Sequence, residues 1–355
     1  MVVPLKSIIR SLGIITIKLT FKRIFNLVKI YSSLLFSKLT KKPVVWGYPP
    51  ILMVEPTNIC NLKCPLCPSG NGDMKRMTGN LDFENYKKLI DEVGDYILQV
   101  QLWNQGEPFI NKSFLQFVRY ANQKGIITQT STNGHFIKTN DEAEDLIRSG
   151  LDQLIFSMDG TNQQTYEKYR IGGNYQLVIE TLKRVAEAKI RLNSKKPLIE
   201  LQFLIFKHNR NEIDGLIEMS KDLNLNRLSF KTAQIYSKDQ GAVFLPDDEA
   251  FSRYKYNGDN YELKGKIENW CKRLWLNPAI NWDGSFSPCC FDKDADYAFA
   301  NIFTDETSFS CTWKGKKYQA FRHRILTNRK SIDMCTNCTE GLPDPYTRII
   351  EVKDL

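Results

Sequence analysis

Three cysteines lie close together in the stretch Cys60-Asn-Leu-Lys-Cys64-Pro-Leu-Cys67, which directly follows an apolar run ending near Thr57. Three thiolates on one loop can hold three irons of a [4Fe–4S] cube and leave the fourth iron open to a bidentate ligand. A structural zinc ion needs four ligands, and neither a histidine nor a fourth cysteine lies nearby to complete that set. The stretch therefore predicts a cluster with one open iron at the end of a strand.

Short apolar runs alternate with longer helical patterns from Ile51 onward. Six βα repeats favour an α/β fold with a parallel sheet curled into a partial (β/α)6 TIM-type barrel. In such barrels the chemistry lies at the carboxyl ends of the strands. The predicted strands are 51–57, 96–102, 126–131, 151–157, 198–205 and 226–231, and the predicted helices are 81–93, 112–124, 140–149, 161–190 and 211–223.

Four short motifs follow the cysteines, and three of them close successive predicted strands. Taken singly, Asn-Gly and Asp-Gly are simply good turn sequences. In this order behind the cysteines, the four reinforce one another. They are Gly106-Glu107-Pro108, Ser131-Thr-Asn133-Gly134, Ser157-Met-Asp159-Gly160 and the segment Tyr-Arg170-Ile-Gly-Gly.

The C-x3-C-x2-C spacing with these motifs resembles the signature of the radical S-adenosylmethionine (SAM) superfamily. The resemblance implies that Cys60, Cys64 and Cys67 hold a [4Fe–4S] cluster whose open iron binds SAM. It also implies that SAM is cleaved to a 5′-deoxyadenosyl radical, which abstracts a hydrogen atom from the substrate.

The same resemblance implies contacts to SAM for nine residues. Leu66 would pack on the adenine, where many members carry an aromatic residue. The guanidinium of Arg170 would meet the carboxylate, and its fork can bind both oxygens. The remaining contacts are Gly106, Glu107 and Pro108 for the amino group, Ser131 and Asn133 beside SAM, and Ser157 and Asp159 for the ribose hydroxyls.

A second group of cysteines lies in the last third of the chain. The alternation around Asp283-Gly284 predicts a hairpin just before Cys289. The pattern resembles the SPASM extension, or its single-cluster twitch form. The resemblance implies a small C-terminal α+β domain with one auxiliary [4Fe–4S] cluster. A zinc site with four cysteines is the alternative, and Cys290 could replace Cys289. The implied ligands are Cys271, Cys289, Cys335 and Cys338.

Basic residues are concentrated in the N-terminal segment. Residues 1–54 contain nine Lys or Arg and no acid, whereas the other 301 residues carry equal numbers of both. A nucleic-acid-binding enzyme should be basic on its folded body, so no nucleic acid is expected. Over residues 4–41 the charges recur at roughly helical spacing, which fits either a helix on an anionic membrane or one packed on the protein.

Composition and spacing also divide the chain. We predict a basic amphipathic helical segment over 1–45, the barrel over 46–235, and a polar linker with the auxiliary domain over 236–355. Nine cysteines, odd in number and mostly grouped, fit cluster binding in a reducing compartment and not a disulfide framework. We therefore expect a cytoplasmic protein, peripheral at the inner membrane face if the N-terminal segment binds lipid.

Two clusters together predict an oxidoreductase. The auxiliary cluster would accept an electron, so that one SAM supports a two-electron oxidation of a small molecule or a carbohydrate or lipid-linked alcohol. The alternative is a peptide- or protein-modifying enzyme. A flavodoxin or ferredoxin would supply the starting electron. Candidate catalytic residues, which could also merely cap strands or face solvent, are Gln105, Gln202, Lys231 and Gln234.

Overall fold

A computed structural model describes residues 18–342 and 348–352. Helices and strands alternate along most of the described chain. The helices are α1 (Phe21–Thr40), α2 (Pro68–Asn71), α3 (Phe83–Val93), α4 (Phe114–Gln123), α5 (Asn140–Arg148), α6 (Gln163–Glu167), α7 (Tyr175–Arg191), α8 (Ile213–Asp222), α9 (Lys238–Phe244), α10 (Arg273–Leu276), α11 (Phe309–Lys314), α12 (Lys316–Asn328) and α13 (Asp333–Thr336). The strands are β1 (Ile51–Val54), β2 (Gln99–Gln101), β3 (Ile127–Thr132), β4 (Gln153–Ser157), β5 (Leu198–Ile205), β6 (Arg227–Thr232), β7 (Tyr254–Tyr256), β8 (Tyr261–Leu263), β9 (Ala279–Ile280), β10 (Phe286–Ser287) and β11 (Arg348–Glu351).

Strands β1 to β6 pair in sequence order, and every pairing is parallel. The full sheet runs β10-β9-β1-β2-β3-β4-β5-β6-β11 and does not close on itself. The predicted α/β fold, a partial barrel of six βα repeats, is confirmed. All six carboxyl ends meet at one edge, where the cysteine loop and three of the motifs follow their strands.

The two faces of the sheet differ in polarity. One face packs beneath the helices with apolar side chains such as Leu154, Phe203 and Leu228, all buried in the main core. The opposite face, inside the curve, carries polar side chains that bind one another across strands. These contacts include Gln99 to Gln129, Gln153 to Glu200, and Arg227 to Glu200 and Glu351.

The C-terminal part extends the same sheet at both edges. Strand β9 pairs parallel with β1, and β10 folds back on β9 through the predicted hairpin, where Gly284 has φ of 92°. At the far edge β11 pairs antiparallel with β6. The predicted boundary at residue 236 therefore separates parts that share one sheet, and the two domain boundaries stay predictions.

Two predicted segments differ from the structure. The helix expected over 161–190 is broken into α6 and α7, because Gly172 has φ of 80° and Asn174 caps α7 through the Leu177 amide. The polar linker expected at the start of segment 236–355 instead contains α9 and the β7–β8 hairpin. Asn257-Gly258 between two alternating segments was a hairpin signal in the sequence.

The described part of the basic N-terminal segment contains one helix, α1. Its N-terminus is capped by Thr20, and its C-terminus ends at Lys41, which has φ of 60°. The expectations for residues 4–17 lie outside the described residues. Among the residues that the structure describes, no helix is long and apolar enough to cross a membrane.

A buried ion pair joins the barrel to the C-terminal hairpin. Glu55, immediately after β1, accepts two hydrogen bonds from the guanidinium of Arg76 at 2.9 and 2.8 Å. Its carboxylate also accepts from the backbone N–H groups of Gln105 and Trp282. Arg76 in turn donates to the carbonyl of Lys293. Both charged side chains are almost entirely buried. The pair therefore holds together the end of β1, the segment around Arg76 and the C-terminal residues around Trp282 and Lys293.

Candidate active site

The first cysteine loop leaves the carboxyl end of β1 and borders a cavity of about 200 Å³. Cys64 is buried and Cys60 and Cys67 are half-buried. Burial raises the pKa of Cys60 to about 11 and also raises that of Cys64. A buried thiol of this kind gives a thiolate when a cation compensates its charge. The loop therefore suits a cationic cluster better than a lone reactive cysteine.

Glu107 is a buried carboxylate at the end of the β2 segment. It accepts from the Thr132 hydroxyl at 2.8 Å, the Asn133 amide at 2.7 Å and the Phe109 amide at 3.3 Å. Burial raises its pKa to about 7, and these hydrogen bonds oppose the rise. The carboxylate lines the cavity, so an ammonium group placed there would restore the charged form.

Arg170 and Asp159 form a second buried pair beside the cysteines. Arg170 donates to Asp159 at 2.6 Å and reaches the Cys64 sulfur at 3.9 Å. The other Asp159 oxygen accepts from the Leu204 amide at 2.7 Å. Arg170 lines the cavity, whereas Asp159 does not. In the structure Asp159 thus orients Arg170 and the end of β5, and its predicted ribose contact stays untested.

Three further predicted contacts to SAM border the same cavity. The hydroxyls of Ser131 and Ser157, on neighbouring strands, are 3.2 Å apart. The Asn133 amide donates to Asn61 at 2.7 Å and approaches the Cys60 sulfur at 3.9 Å. Side chains from β3 and β4 therefore meet the cysteine loop at one point, as the strand-end argument predicts.

Of the remaining three predicted contacts, one lines the first cavity and two do not. Gly106 lines it, with φ of 73°. Pro108 is buried and begins a short 3-10 turn over Pro108–Ile110. Leu66 is turned away and lines a second cavity instead. As SAM contacts, all nine residues stay predictions.

The four cysteines of the second group are all buried. Burial raises the pKa of Cys271 to about 12 and that of Cys335 to about 11. The pKa of Cys289 is raised by burial and by the neighbouring thiols, Cys271 and Cys338 among them. The group thus comes together from three separate segments of the chain, which suits a cation-binding site.

Two other cysteines lie outside this set. The Cys290 sulfur is 3.7 Å from the Arg273 guanidinium, and Cys311 is exposed on α11. The contact with Arg273 gives Cys290 a partner of its own. The choice between Cys289 and Cys290 as ligand stays open.

The residues fit the groups they are predicted to hold, although no three Cys, His, Asp or Glu side chains in the described chain form a ready-made metal site. The buried side-chain oxygen of Asn104 in the first cavity accepts no hydrogen bond from the described residues. An unpaired buried acceptor is costly unless a donor reaches it. SAM carries such donors in its ammonium and hydroxyl groups.

A second cavity, of about 280 Å³, is lined by sequence neighbours of cysteines from both groups, although no cysteine of the described chain lines it. Leu66 and Pro68 flank Cys67, Phe291 follows Cys290, and Met334 precedes Cys335. Its polar lining comes from residues that the sequence analysis missed, since they become neighbours only in the fold. They are Asn71, Asp73, Tyr236, Gln240, Asp292, Lys293, Asp294, Asp296, Tyr297 and Asp333. A larger cavity of about 490 Å³ near Lys189 and Asn226 includes none of the predicted site residues.

The four candidate catalytic residues are not gathered at one point. The Gln105 side-chain oxygen is 3.9 Å from the Cys67 sulfur, and the Gln234 amide donates to the Asn337 carbonyl beside Cys338. Gln202 is the β5 partner of Ser157, so both lie on the polar face. Lys231 lies on the same face of β6, two residues beyond the partner of Gln202. Their catalytic roles stay predictions.

Comparison with known proteins agrees with this geometry. The radical SAM superfamily model matches residues 54–220. The SPASM model, an iron-sulfur cluster-binding domain, matches residues 271–339. The chain is therefore a radical SAM protein with a C-terminal SPASM domain. These domains imply a [4Fe–4S] cluster with SAM in the barrel and auxiliary iron–sulfur binding in the C-terminal part.

Individual relatives match most of the chain at low identity. The tungsten-containing aldehyde ferredoxin oxidoreductase cofactor-modifying protein of Pyrococcus furiosus is 23% identical, covering 81% of this chain and 86% of its own length. The structure of BtrN with AdoMet and 2-DOIA matches with a TM-score of 0.53 and 20% identity, covering 83% of this chain and 94% of BtrN. The structure of Streptococcus suis SuiB bound to precursor peptide SuiA matches with a TM-score of 0.61 and 17% identity, covering 87% of this chain and 74% of SuiB. These structures share the fold.

Substitution of Gly106 tests the first cavity. A Cβ at Gly106 would lie 2.7 Å from backbone atoms of Thr57, Asn58 and Ile59. Gly106→Ala should lower SAM affinity at least tenfold by isothermal titration, because the strand end must shift. Gly172→Ala is the matched control, since Gly172 also has positive φ but open space around it. Equal SAM affinity in the two variants would contradict this placement of the cofactor.

Proposed function

We propose that this protein catalyses a two-electron oxidation of an alcohol on a small, carbohydrate-like molecule. The observation that supports this reaction best is the second cavity, whose lining includes both Leu66 and Pro68, which flank Cys67, and Met334, which precedes Cys335. A substrate in that cavity would lie between the two cysteine groups. An abstracted hydrogen atom and a departing electron would then have separate destinations on opposite sides of one molecule.

Atoms and electrons balance for the conversion of an alcohol to a ketone. The carbinol carbon loses a hydrogen atom, the hydroxyl oxygen loses a proton, and one further electron leaves the substrate. When bound, the clusters and SAM supply the hydrogen-abstracting 5′-deoxyadenosyl radical and the electron acceptor. We expect flavodoxin or ferredoxin to deliver the starting electron.

The protein's own residues would bind SAM and orient it. Glu107 would pair with the ammonium group of SAM, because among the described residues its buried carboxylate accepts hydrogen bonds from two backbone amides and a hydroxyl, all neutral donors. Arg170, held by Asp159, would meet the SAM carboxylate. Ser157 would contact the ribose from β4. The cysteine ligands would be Cys60, Cys64 and Cys67 in the barrel and the four of the second group in the C-terminal part.

Asp292 is the best-placed group to accept the proton. It lines the second cavity, is buried, and accepts hydrogen bonds from the Tyr297 amide at 3.3 and 3.2 Å. Burial raises its pKa to about 6. A carboxylate with this pKa is ionised at pH 7 and is a stronger base than an ordinary aspartate.

The lining of the second cavity also supports a polar substrate. Carboxylates, two tyrosines and a lysine line the cavity, and they suit a ligand with hydroxyl or amino groups. Its volume is close to the lower limit of small-molecule sites. Free and lipid-linked carbohydrates both carry such alcohols, so both belong in a substrate panel.

A peptide-modifying reaction is the second candidate. It is favoured by the match to SuiB, whose structure was solved with a precursor peptide. Product masses separate the two classes. A loss of two mass units from a small alcohol supports the oxidation, and the same loss from a peptide, with all alcohols inert, supports the alternative.

Removal of two auxiliary cysteines tests the electron acceptor. Cys335→Ala/Cys338→Ala should retain about four of about eight irons after anaerobic reconstitution and should still cleave SAM to 5′-deoxyadenosine. It should form oxidised product at least 100-fold more slowly. Cys311→Ala, an exposed cysteine outside both groups, should keep all irons and full activity. About four irons and one zinc in the wild type would overturn the oxidation and leave a redox-neutral reaction.

Asp292 gives a pH test. Because its pKa is about 6, the fraction of ionised carboxylate falls as the pH drops through 6. Oxidised product should fall with it while SAM cleavage continues. Asp292→Asn should slow product formation about 100-fold at pH 7.5, whereas Asp296→Asn, an exposed residue of the same cavity, should change it less than threefold. A pH profile shared by wild type and Asp292→Asn would exclude this role.

A further inference from the structure

Helix α1 packs on the protein through its polar face. Its buried residues are Arg23, Asn26, Ile30, Ser33 and Ser37, and only one of these is apolar. A surface helix usually buries its apolar stripe and shows polar residues to water. The orientation of α1 is the reverse.

Arg23 anchors this orientation. Its side chain is 3% exposed and donates to the carbonyls of Lys18, Gly94, Lys124 and Gly125 at 2.7 to 3.0 Å. Gly94 and Gly125 belong to loops that precede β2 and β3. Turning the helix over would leave a buried guanidinium or its carbonyl partners unpaired, which is costly.

Asn26 and Ser37 add contacts on the same face. The Asn26 side chain donates to the carbonyls of Tyr48 and Tyr96 and accepts from the Tyr48 amide at 2.7 Å. The Ser37 hydroxyl accepts from the Val44 amide at 3.0 Å. Polar contacts at both ends of α1 therefore fix which face points outward.

The outward face is apolar. Phe21 is 84% exposed and Leu39 73% exposed, at opposite ends of the helix. Five exposed apolar side chains of the helix, Phe21, Phe25, Val28, Leu35 and Leu39, fall within an arc of about 80° around its axis. Trp46 adds to this surface beyond the helix, and its ring lies 5.7 Å from the ring of Phe36. We call it the apolar face, and it consists of Phe21, Phe25, Val28, Leu35, Leu39 and Trp46. Its exposed area is on the order of 700 Å², larger than the biggest patch of a typical monomer.

Basic residues flank the apolar face. Lys29 lies along one side and Lys38 along the other, and Lys41 and Lys42 follow the end of α1. Lys22, on the same side as Lys29, forms an ion pair with Asp95 at 2.6 Å. No acidic residue occurs among residues 1–54. A second copy of the chain would place two such basic segments against each other and repel. An apolar stripe between lysines instead complements a layer of anionic headgroups over acyl chains.

We propose that the apolar face of α1 docks on an anionic phospholipid bilayer, with the helix lying in the plane of the interface. In the described chain no helix is suited to span the membrane, so α1 would lie on it. Arg23 docks on loops at the amino ends of the strands, whereas the cysteine loop and Glu107 follow carboxyl ends. The bilayer would therefore lie at the opposite end of the barrel strands from the SAM site, and docking would leave that site open to water.

Vesicle sedimentation of the full chain tests the proposal. The wild type should sediment with phosphatidylcholine–phosphatidylglycerol vesicles at least tenfold better than with phosphatidylcholine alone, and less at high salt. Phe25→Ser/Val28→Ser/Leu35→Ser/Leu39→Ser should lose this binding at least tenfold and keep SAM cleavage. The control Ile190→Ser/Val243→Ser removes two comparably exposed apolar side chains elsewhere and should bind like the wild type.

Several results would overturn membrane docking. The proposal is wrong if the wild type does not sediment with anionic vesicles. It is also wrong if the quadruple variant binds these vesicles as well as the wild type does. Sedimentation velocity without lipid would identify a different occupant. The apolar face would be assigned to a second copy of the chain if the wild type forms a stable dimer and does not bind vesicles, and if the quadruple variant is monomeric.

Discussion

The buried carboxylate of Glu55 is the constraint on which the arrangement of both cysteine groups depends. It lies after β1, just before the first cysteine loop, and binds Arg76 together with the amides of Gln105 and Trp282. A carboxylate in the interior needs such partners, because removing a charge from water is expensive. Satisfying it brings together the strand end, the segment after the cysteines and the C-terminal hairpin. This one carboxylate therefore links the strand that precedes the first cysteine loop to the hairpin that precedes Cys289.

The sequence predicted those parts of the fold and site that depend on residues close together in the chain. The cysteine spacings, the motifs at strand ends and the Asp283-Gly284 hairpin all depend on residues near one another in the chain, and the sheet order follows from six βα repeats. The Glu55–Arg76 pair and the lining of the second cavity depend on residues about 20 to more than 200 positions apart, such as Leu66 and Asp292. No local pattern marks such neighbours. The orientation of α1 was also hidden, since an amphipathic helix shows which residues share a face but not which face is buried.

The fold separates three tasks along the strands. Carboxyl ends carry the cysteine loop and the polar groups that would hold SAM. The second cavity is lined by residues that adjoin cysteines of both groups in the sequence. Loops at the amino ends receive the polar face of α1.

The proposed oxidation requires two [4Fe–4S] clusters of different character, one that would bind SAM and one that would accept an electron from the substrate. Electron paramagnetic resonance of the dithionite-reduced protein, with and without SAM, tests it most directly. We expect two cluster signals, of which SAM changes one, because four cysteines would leave no open iron in the auxiliary cluster. A single signal, or two signals that SAM changes equally, would contradict it.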